Sequence, residues 1–352
     1  MDLKKFYIER AVYPAMAILQ NNRVTAFTKA LQASETLDMA QRKLDLRQRL
    51  SELLFLCRNQ VPAYAGLPFT DLELRREPMD CIQAVDPILL TDFLAVTREY
   101  LRRDVDITGL HARYCETSSG QPPATIYLTQ EQIERYEAAR WRGLSWYGVT
   151  FGSPSVYLWD QPHAPFVLQE EPYLRNRLSV SVCAMTDRSV PPTVEQIDGF
   201  KPEYITGSAS SLASMAHALL RTGIRLQTVP KVVTITRGVA DAELLSVLRE
   251  AFRCPVAQVL AGRMEGIMAY TCPEGHLHIT AEHCYVEILD PKTWTPVAPG
   301  QRGLVTVTNL LDDTMPHLRV ILDVMASIRQ EPCPCGRTLP VLENLQKVAP
   351  LT

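Results

Sequence analysis

At 352 residues the chain has room for more than one domain, or for one large domain with an appended subdomain. Hydrophobic residues make up 46% and charged residues 21%, the profile of a globular enzyme. The net charge of −3 and the pI near 6.2 leave no basic surplus for a nucleic-acid surface or a polybasic membrane patch, so neither partner is expected.

The opening MDLKKFYIERAVYPAMAILQNN holds a short apolar stretch, but Glu9 and Arg10 precede it and Pro14 interrupts it. That mixture suits neither a signal peptide nor a membrane span. With nine cysteines and no secretory pattern, free thiols in a reducing cytoplasm are the expectation. Residues 24–60 read as helical, through the run RKLDLRQRLSELLFLCRNQ, and Val61-Pro62 supplies a stop.

After Thr108 the texture changes to short β-rich runs alternating with amphipathic helices. In TIYLTQEQIERYEAARWRGL an apolar run leads into a helix, with Thr129 and Gln132 spaced as a capping box. Ile133, Tyr136, Trp141 and Leu144 are expected on one face of it. A second helix, SSLASMAHALLRTG, places Leu212, Met215, Ala216, Leu219 and Leu220 inward and closes at Gly223. VVTIT (232–236) and VAQVL (256–260) read as strands around the helix ADAELLSVLREAF. This strand–helix–strand alternation implies an α/β domain. From about Gly262 the chain turns mostly β, with YVEIL and GLVTVTNL separated by turns at Asp290-Pro291 and Pro299-Gly300. The expected organisation is a helical segment over 1–107, an α/β portion over 108–261 and a β-rich subdomain over 262–352.

Several strings in order resemble the phenylacetate–coenzyme A ligase branch of the adenylate-forming superfamily. They are NQVPAYAGL, PILLTDFL, SSG after a strand, FKPEYITGSASSL, MEGIMAYTC, and MPHLR followed by CPCGRTLP. Together they span roughly residues 40–345. The resemblance implies an α/β fold in which helix-flanked β-sheets form the large N-terminal domain, with a β-rich, barrel-like subdomain. In the family a small mobile C-terminal domain follows, and this sequence stops at LENLQKVAPLT, about where that domain would begin.

The same resemblance implies an ATP site whose motifs are altered here. Adenylation needs a Ser/Thr/Gly loop whose hydroxyls and N–H groups hold phosphates. The family form SSGTTGxP is represented by Ser118-Ser119-Gly120-Gln121-Pro122-Pro123, and each proline lacks an N–H. That segment reads equally as a phosphate loop or as a shortened surface turn. The Gly-Glu-Pro segment beside adenine corresponds to Arg237-Gly238-Val239-Ala240, without a carboxylate. The Tyr-Gly-x-Ser/Thr-Glu segment becomes Ala261-Gly262-Arg263-Met264-Glu265, keeping only Gly262 and the glutamate that in the family helps hold Mg²⁺. The segment Arg-Tyr-x-Thr-Gly-Asp becomes Arg319-Val320-Ile321-Leu322-Asp323-Val324; the ribose-binding aspartate aligns with Val324, or with Asp323 if the loop is one residue shorter. Arg319, Gly262 and Arg263 are expected to line the substrate site. ATP and Mg²⁺ are therefore doubtful as cofactors.

A second constellation is metal-like. Cys272 and His278 form C-x5-H, and Cys333 and Cys335 form C-x-C farther along, three thiols and an imidazole that suit tetrahedral structural zinc. Some relatives hold a structural metal at corresponding positions. His276 is a rival imidazole, and reduced, packed cysteines are the alternative reading.

Other residues remain open between two roles. Cys115 could be a nucleophile at the mouth of an acyl pocket, or a small packed residue. Trp141, with Trp146, Tyr147 and Trp159, could line an aryl or acyl pocket or belong to the core. Gly207, opening Gly-Ser-Ala-Ser-Ser, resembles the family's turn behind the acyl pocket and could equally serve a helix N-cap. His163 and His317 are isolated from any sequence-adjacent carboxylate. The expected activity is ATP-independent transfer of an acyl or aryl group from coenzyme A to an acyl carrier protein. The alternatives are a divergent acid ligase and a non-catalytic scaffold; a homodimer is compatible with each.

Overall fold

In the computed structural model the described residues are 6–12, 15, 22–115, 123–160, 167–168, 176–183, 185–262 and 264–349. They cluster into two compact units, each assembled from several chain segments.

The first unit comprises 1–28, 138–261 and 270–277. Its centre is a sheet whose strands run in the order Val256–Gly262, Val232–Arg237, Tyr204–Ser208, Ser155–Trp159, Arg177–Ser181 and Val167–Leu168. All neighbours are parallel except the last pair. Alternation along each strand sorts the side chains. Val156, Leu158, Leu178, Val180, Ile205, Val233 and Ile235 pack against the helices Val190–Phe200, Ala209–Thr222 and Ala242–Phe252. The opposite face carries Ser155, Ser179, Thr206 and Thr234, all buried, where a parallel sheet usually presents branched aliphatics.

The helices form where periodicity indicates. Ala209–Thr222 starts on Ser208, whose side chain accepts from the Ser211 N–H, and ends on left-handed Gly223. Leu212, Met215, Ala216 and Leu219 are buried as expected, but Leu220 lies at the stripe's edge and faces out, with Ala218 inward instead. In Gln130–Ser145 the Thr129–Gln132 capping box is made in both directions, at 2.6 and 3.1 Å. Its buried positions include Tyr136, Trp141 and Leu144, but also Gln132, Glu134 and Arg142, while Ile133 is half-exposed.

The second unit comprises 29–137, 262–269 and 278–352. Its strands Cys284–Leu289, Gly303–Asn309, Val320–Ile328 and Val341–Lys347 form an antiparallel run, and Ile88–Leu89 adds in parallel to Val320–Ile321. A separate hairpin pairs His111–Cys115 with Ala124–Leu128. The helical stretch expected over 24–60 is interrupted. Val24–Ala33 gives way to a single tight turn at Ser34–Thr36, and Met39–Gln60 begins afresh. The Asp38 carboxylate accepts from the Gln41 N–H at 2.8 Å, and Arg42 donates back to the Ser34 carbonyl at 2.6 Å. These two bonds fix a corner where periodicity alone would continue the helix.

No helix among the described residues is long and apolar enough to cross a membrane.

Candidate functional site

Two tight turns of the same composition carry the sulfurs. In Cys272-Pro-Glu-Gly275 the Gly275 N–H donates to the Cys272 carbonyl at 2.9 Å. In Cys333-Pro-Cys-Gly336 the Gly336 N–H donates to the Cys333 carbonyl at 3.1 Å. Proline at the second position presets φ, and both glycines take positive φ, +83° and +79°, which closes each turn. The ligand atoms of Cys272, His278, Cys333 and Cys335 all lie within 4.8 Å of one another. Tetrahedral zinc, with bonds of about 2.0–2.3 Å, sets its ligand atoms about 3.3–3.8 Å apart, so the set fits that ion. His278 is the imidazole of the cluster; His276 instead lends its backbone carbonyl to the Cys272 N–H at 2.8 Å. The Nδ1 of His278 lies 3.1 Å from the Leu339 carbonyl, which assigns its proton there and leaves Nε2, 3.2 Å from the Cys335 Sγ, as the metal-facing atom. Burial works to raise the Cys335 thiol, but the Arg337 N–H, the Cys333 side chain and the Arg337 guanidinium outweigh it and hold Cys335 below the ordinary thiol range. That favours the thiolate a metal requires.

The carboxylate singled out in the altered nucleotide motifs sits in a clamped turn. Asn309 donates through Nδ2 to the Met264 carbonyl at 3.0 Å, and the Tyr136 hydroxyl donates to the same oxygen. Glu265 itself is 3% exposed. One carboxylate oxygen lies against Gly262, where any side chain would collide with it. The other, Oε1, has no hydrogen-bond partner and faces His317 Nε2 at 3.5 Å. On the far side of the ring, Nδ1 faces Asp312 Oδ2 at 4.0 Å. His317 is wholly buried, edge-on to Phe93 with centroids 5.6 Å apart, and burial lowers its pKa below the ordinary imidazole value. Asp312 accepts from the Thr314 and Met315 N–H groups at 3.1 and 2.8 Å. Burial nevertheless pushes its carboxyl up to about 6. His317 reads as isolated in sequence because its partners stand five positions earlier and across the fold; the string Asn309…Asp312…His317 is the one signal that joins them.

The remaining expected site residues separate into three groups. Ser118, Ser119, Gly120 and Arg263, like His163, lie outside the described residues. Arg319 is a correction. Its Nε and Nη2 engage Glu287 at 2.9 and 3.2 Å, and Nη1 donates to the carbonyls of Gln83 and Val85 at 2.7 and 2.6 Å. All three nitrogens are spent inside the fold, so the group locks strands and segment 83–85 together rather than reaching for a ligand. Cys115 is buried at the end of its hairpin, opposite Ala124, an environment that suits a packed thiol more than an exposed nucleophile. Trp141 is core-packed on Phe151, with centroids 4.4 Å apart and the Arg140 guanidinium over its ring. The indole N–H groups of Trp141 and Trp159 are buried and have no hydrogen-bond partner among the described residues. Gly207 precedes Ser208, which is both the last residue of its strand and the cap of the next helix; the Ser208 hydroxyl reaches Asp160 at 3.3 Å, and Ser210 bonds the same carboxylate. These polar groups cluster at the C-terminal ends of parallel strands, where ligands of such sheets commonly bind. Val324, aligned with the ribose-binding aspartate, is buried within the strand Val320–Ile328 and pairs with Lys347, next to register shifts in the pairing on both sides.

No protein-family model matches the chain. Among curated proteins, the phenylacetate–coenzyme A ligase of Thermus thermophilus is 28% identical over 166 residues, 44% of this chain and 35% of that one. The match thus spans about a third of that ligase. Among solved structures, 2-hydroxyisobutyryl-CoA ligase in its postadenylation state superposes with a TM-score of 0.72 and 17% identity, covering 90% of this chain and 69% of that one. The same ligase in an open conformation, with an acyl-AMP and CoA, gives 0.69 and 18%, covering 88% and 75%. The likeness to these structures establishes the fold.

Proposed function

We propose that this chain, an adenylate-forming-type domain allied by sequence to phenylacetate–coenzyme A ligase, handles acyl or aryl groups as coenzyme A thioesters and transfers them without forming an acyl-adenylate. The observation that carries this reading is the strand Val320–Ile328. Where a ligase of this resemblance needs a loop aspartate on ribose, this chain has a buried valine within a strand, paired with Lys347 on one side and beside a register shift on the other. Asp323 is only half-buried but belongs to the same strand. The altered phosphate-loop sequence and the missing Gly-Glu-Pro carboxylate support it further. Phosphoryl chemistry depends on such donors, so losing several removes most of the stabilisation it needs.

Thioester exchange requires less. Bond energies nearly balance, and the enzyme's task is to orient the carbonyl and polarise its oxygen. The incoming thiol gives up its proton and adds to the carbonyl carbon; collapse expels coenzyme A thiolate, which takes up a proton. An acyl carrier protein is the proposed acceptor. The Cys272–His278–Cys333–Cys335 set is proposed to hold a structural zinc, with all four positions filled by protein and no part in the reaction.

A second reading, formation of an acyl-adenylate as a ligase, is favoured by the names of the relatives. Mass spectrometry separates the two. The chain is incubated with a carrier protein and a panel of acyl- and aryl-coenzyme A donors, with ATP omitted. Acylated carrier is expected; an acylated product that forms only from free acid plus ATP would transfer the assignment to the ligase reading.

A further inference from the structure

We propose that Glu265, His317 and Asp312 form one continuous buried line, carboxylate–imidazole–carboxylate, in which His317 is the positioning residue for Glu265 and stands where a cation would otherwise bind. The inference is independent of which acyl chemistry the chain performs. It concerns a carboxylate that the family resemblance assigns to Mg²⁺, and the residues around it do not fit that ion. Magnesium demands near-octahedral oxygen ligation and keeps several of its waters. Glu265 is 3% exposed, one oxygen lies against Gly262, and the other faces an imidazole nitrogen at 3.5 Å.

Nor do the three groups converge on a point. Asp312 Oδ2 lies beyond the opposite edge of the ring, 4.0 Å from Nδ1, so the ligand atoms are strung out rather than arranged as a shell. Among the described residues, the set that does meet around a common centre is the cysteine–histidine cluster.

The line has a physical reason to close. Among the described residues no hydrogen bond of normal geometry reaches Glu265 Oε1 or either His317 nitrogen, although a Met315 backbone group interacts with the ring. An unmade bond at a buried polar atom costs about 1–3 kcal/mol, and more at a charged one. Shortening the 3.5 and 4.0 Å gaps into hydrogen bonds removes these orphans together when Asp312 carries a proton: Nε2–H of the neutral ring donates to Glu265, and the Asp312 hydroxyl donates to Nδ1. The surroundings make the geometry hard to relax otherwise. Tyr136 and Asn309 hold the Met264 carbonyl, Phe93 backs the ring, and the Leu318 N–H donates to the Tyr64 hydroxyl at 2.9 Å. At its far end the line stops at Asp312, which is 2% exposed and lies behind a cleft of about 680 Å³ lined also by Asp45, Arg49, Glu52, Glu131 and Arg135.

Imidazole-resolved ¹⁵N NMR of the whole chain tests this. Glu265→Gln and Asp312→Asn keep side-chain shape and an acceptor oxygen while removing the charge. Each is expected to displace the ring-nitrogen resonances of His317, whereas Mn²⁺, used as a paramagnetic probe, and Mg²⁺ leave those of the native chain unchanged. A response to only one substitution, or to neither, overturns the line. Saturable Mn²⁺ broadening of His317 in the native chain overturns the exclusion of the cation. The metal titration needs no variant, so the proposal stays exposed even if a substitution unfolds the protein.

Discussion

The guanidinium of Arg319 is divided between Glu287 and the carbonyls of Gln83 and Val85, so truncating it strands a buried carboxylate. Burial already pushes Glu287 upward and Arg319 pulls it back. Arg319→Met should therefore lower stability by about 3–5 kcal/mol in chemical denaturation, as expected when one member of a buried pair is removed. A loss below about 1 kcal/mol would place the pair with weak surface bridges. Asp312 carries the opposite sign. Its folded pKa rises from 3.8 to about 6, so between those values the folded state holds more protons than the unfolded chain. Stability from this group consequently falls as pH rises through that window. Asp312→Asn keeps the acceptor for Thr314 and Met315 but cannot ionise. Its stability relative to the parent should improve from pH 4 to pH 6 and level off above, by at most about 3 kcal/mol for a shift of two units. A difference that is flat with pH would show that Asp312 is not buried as a charge. His317 contributes an opposing trend, losing stability as pH falls through the ordinary histidine range, but it does so in both proteins. Neither role was legible in sequence. Arg319 was placed by a motif whose surroundings had changed, and the partners of His317 arrive through tertiary packing.

At the scale of elements, periodicity carried most of the information. The stripe of Ala209–Thr222 apart from Leu220, the helix Ala242–Phe252, and the apolar strands before and after it stand where the pattern put them. What periodicity could not show was competition from side chains. Asp38 and Arg42 break the helical stretch near residue 37, and the hydroxyl face formed by Ser155, Ser179, Thr206 and Thr234 emerges only when strands are placed side by side. The paired turns Cys272-Pro-Glu-Gly275 and Cys333-Pro-Cys-Gly336 were legible as ligand-bearing turns, though their shared Cys-Pro-x-Gly form becomes meaningful only beside the Gly N–H bonds. These turns predict about one zinc per chain in protein prepared without chelator, measured by elemental analysis. Cys335→Ser should lose that metal and about 3 kcal/mol or more of stability, because metal binding energy is folding energy here. A variant that melts with the parent would make the cluster a set of packed thiols.

For the molecule as a whole, fold and function were unequally legible. Motif order along residues 40–345 indicated the ligase fold, and the structural neighbours superpose over 90% and 88% of the chain. The reaction depends on a handful of side chains whose replacement leaves the core untouched, which is why a retained fold does not carry a retained activity. Two of those side chains now have other employment, Arg319 in a strand lock and Glu265 opposite His317, while Val324 is part of a ladder. If the chain works on thioesters without making an adenylate, as proposed, it does not exchange labelled pyrophosphate into ATP with any of the panel of free acids. Exchange indistinguishable from a protein-free control is expected; acid-dependent exchange at roughly 1 s⁻¹ or faster would overturn the proposal.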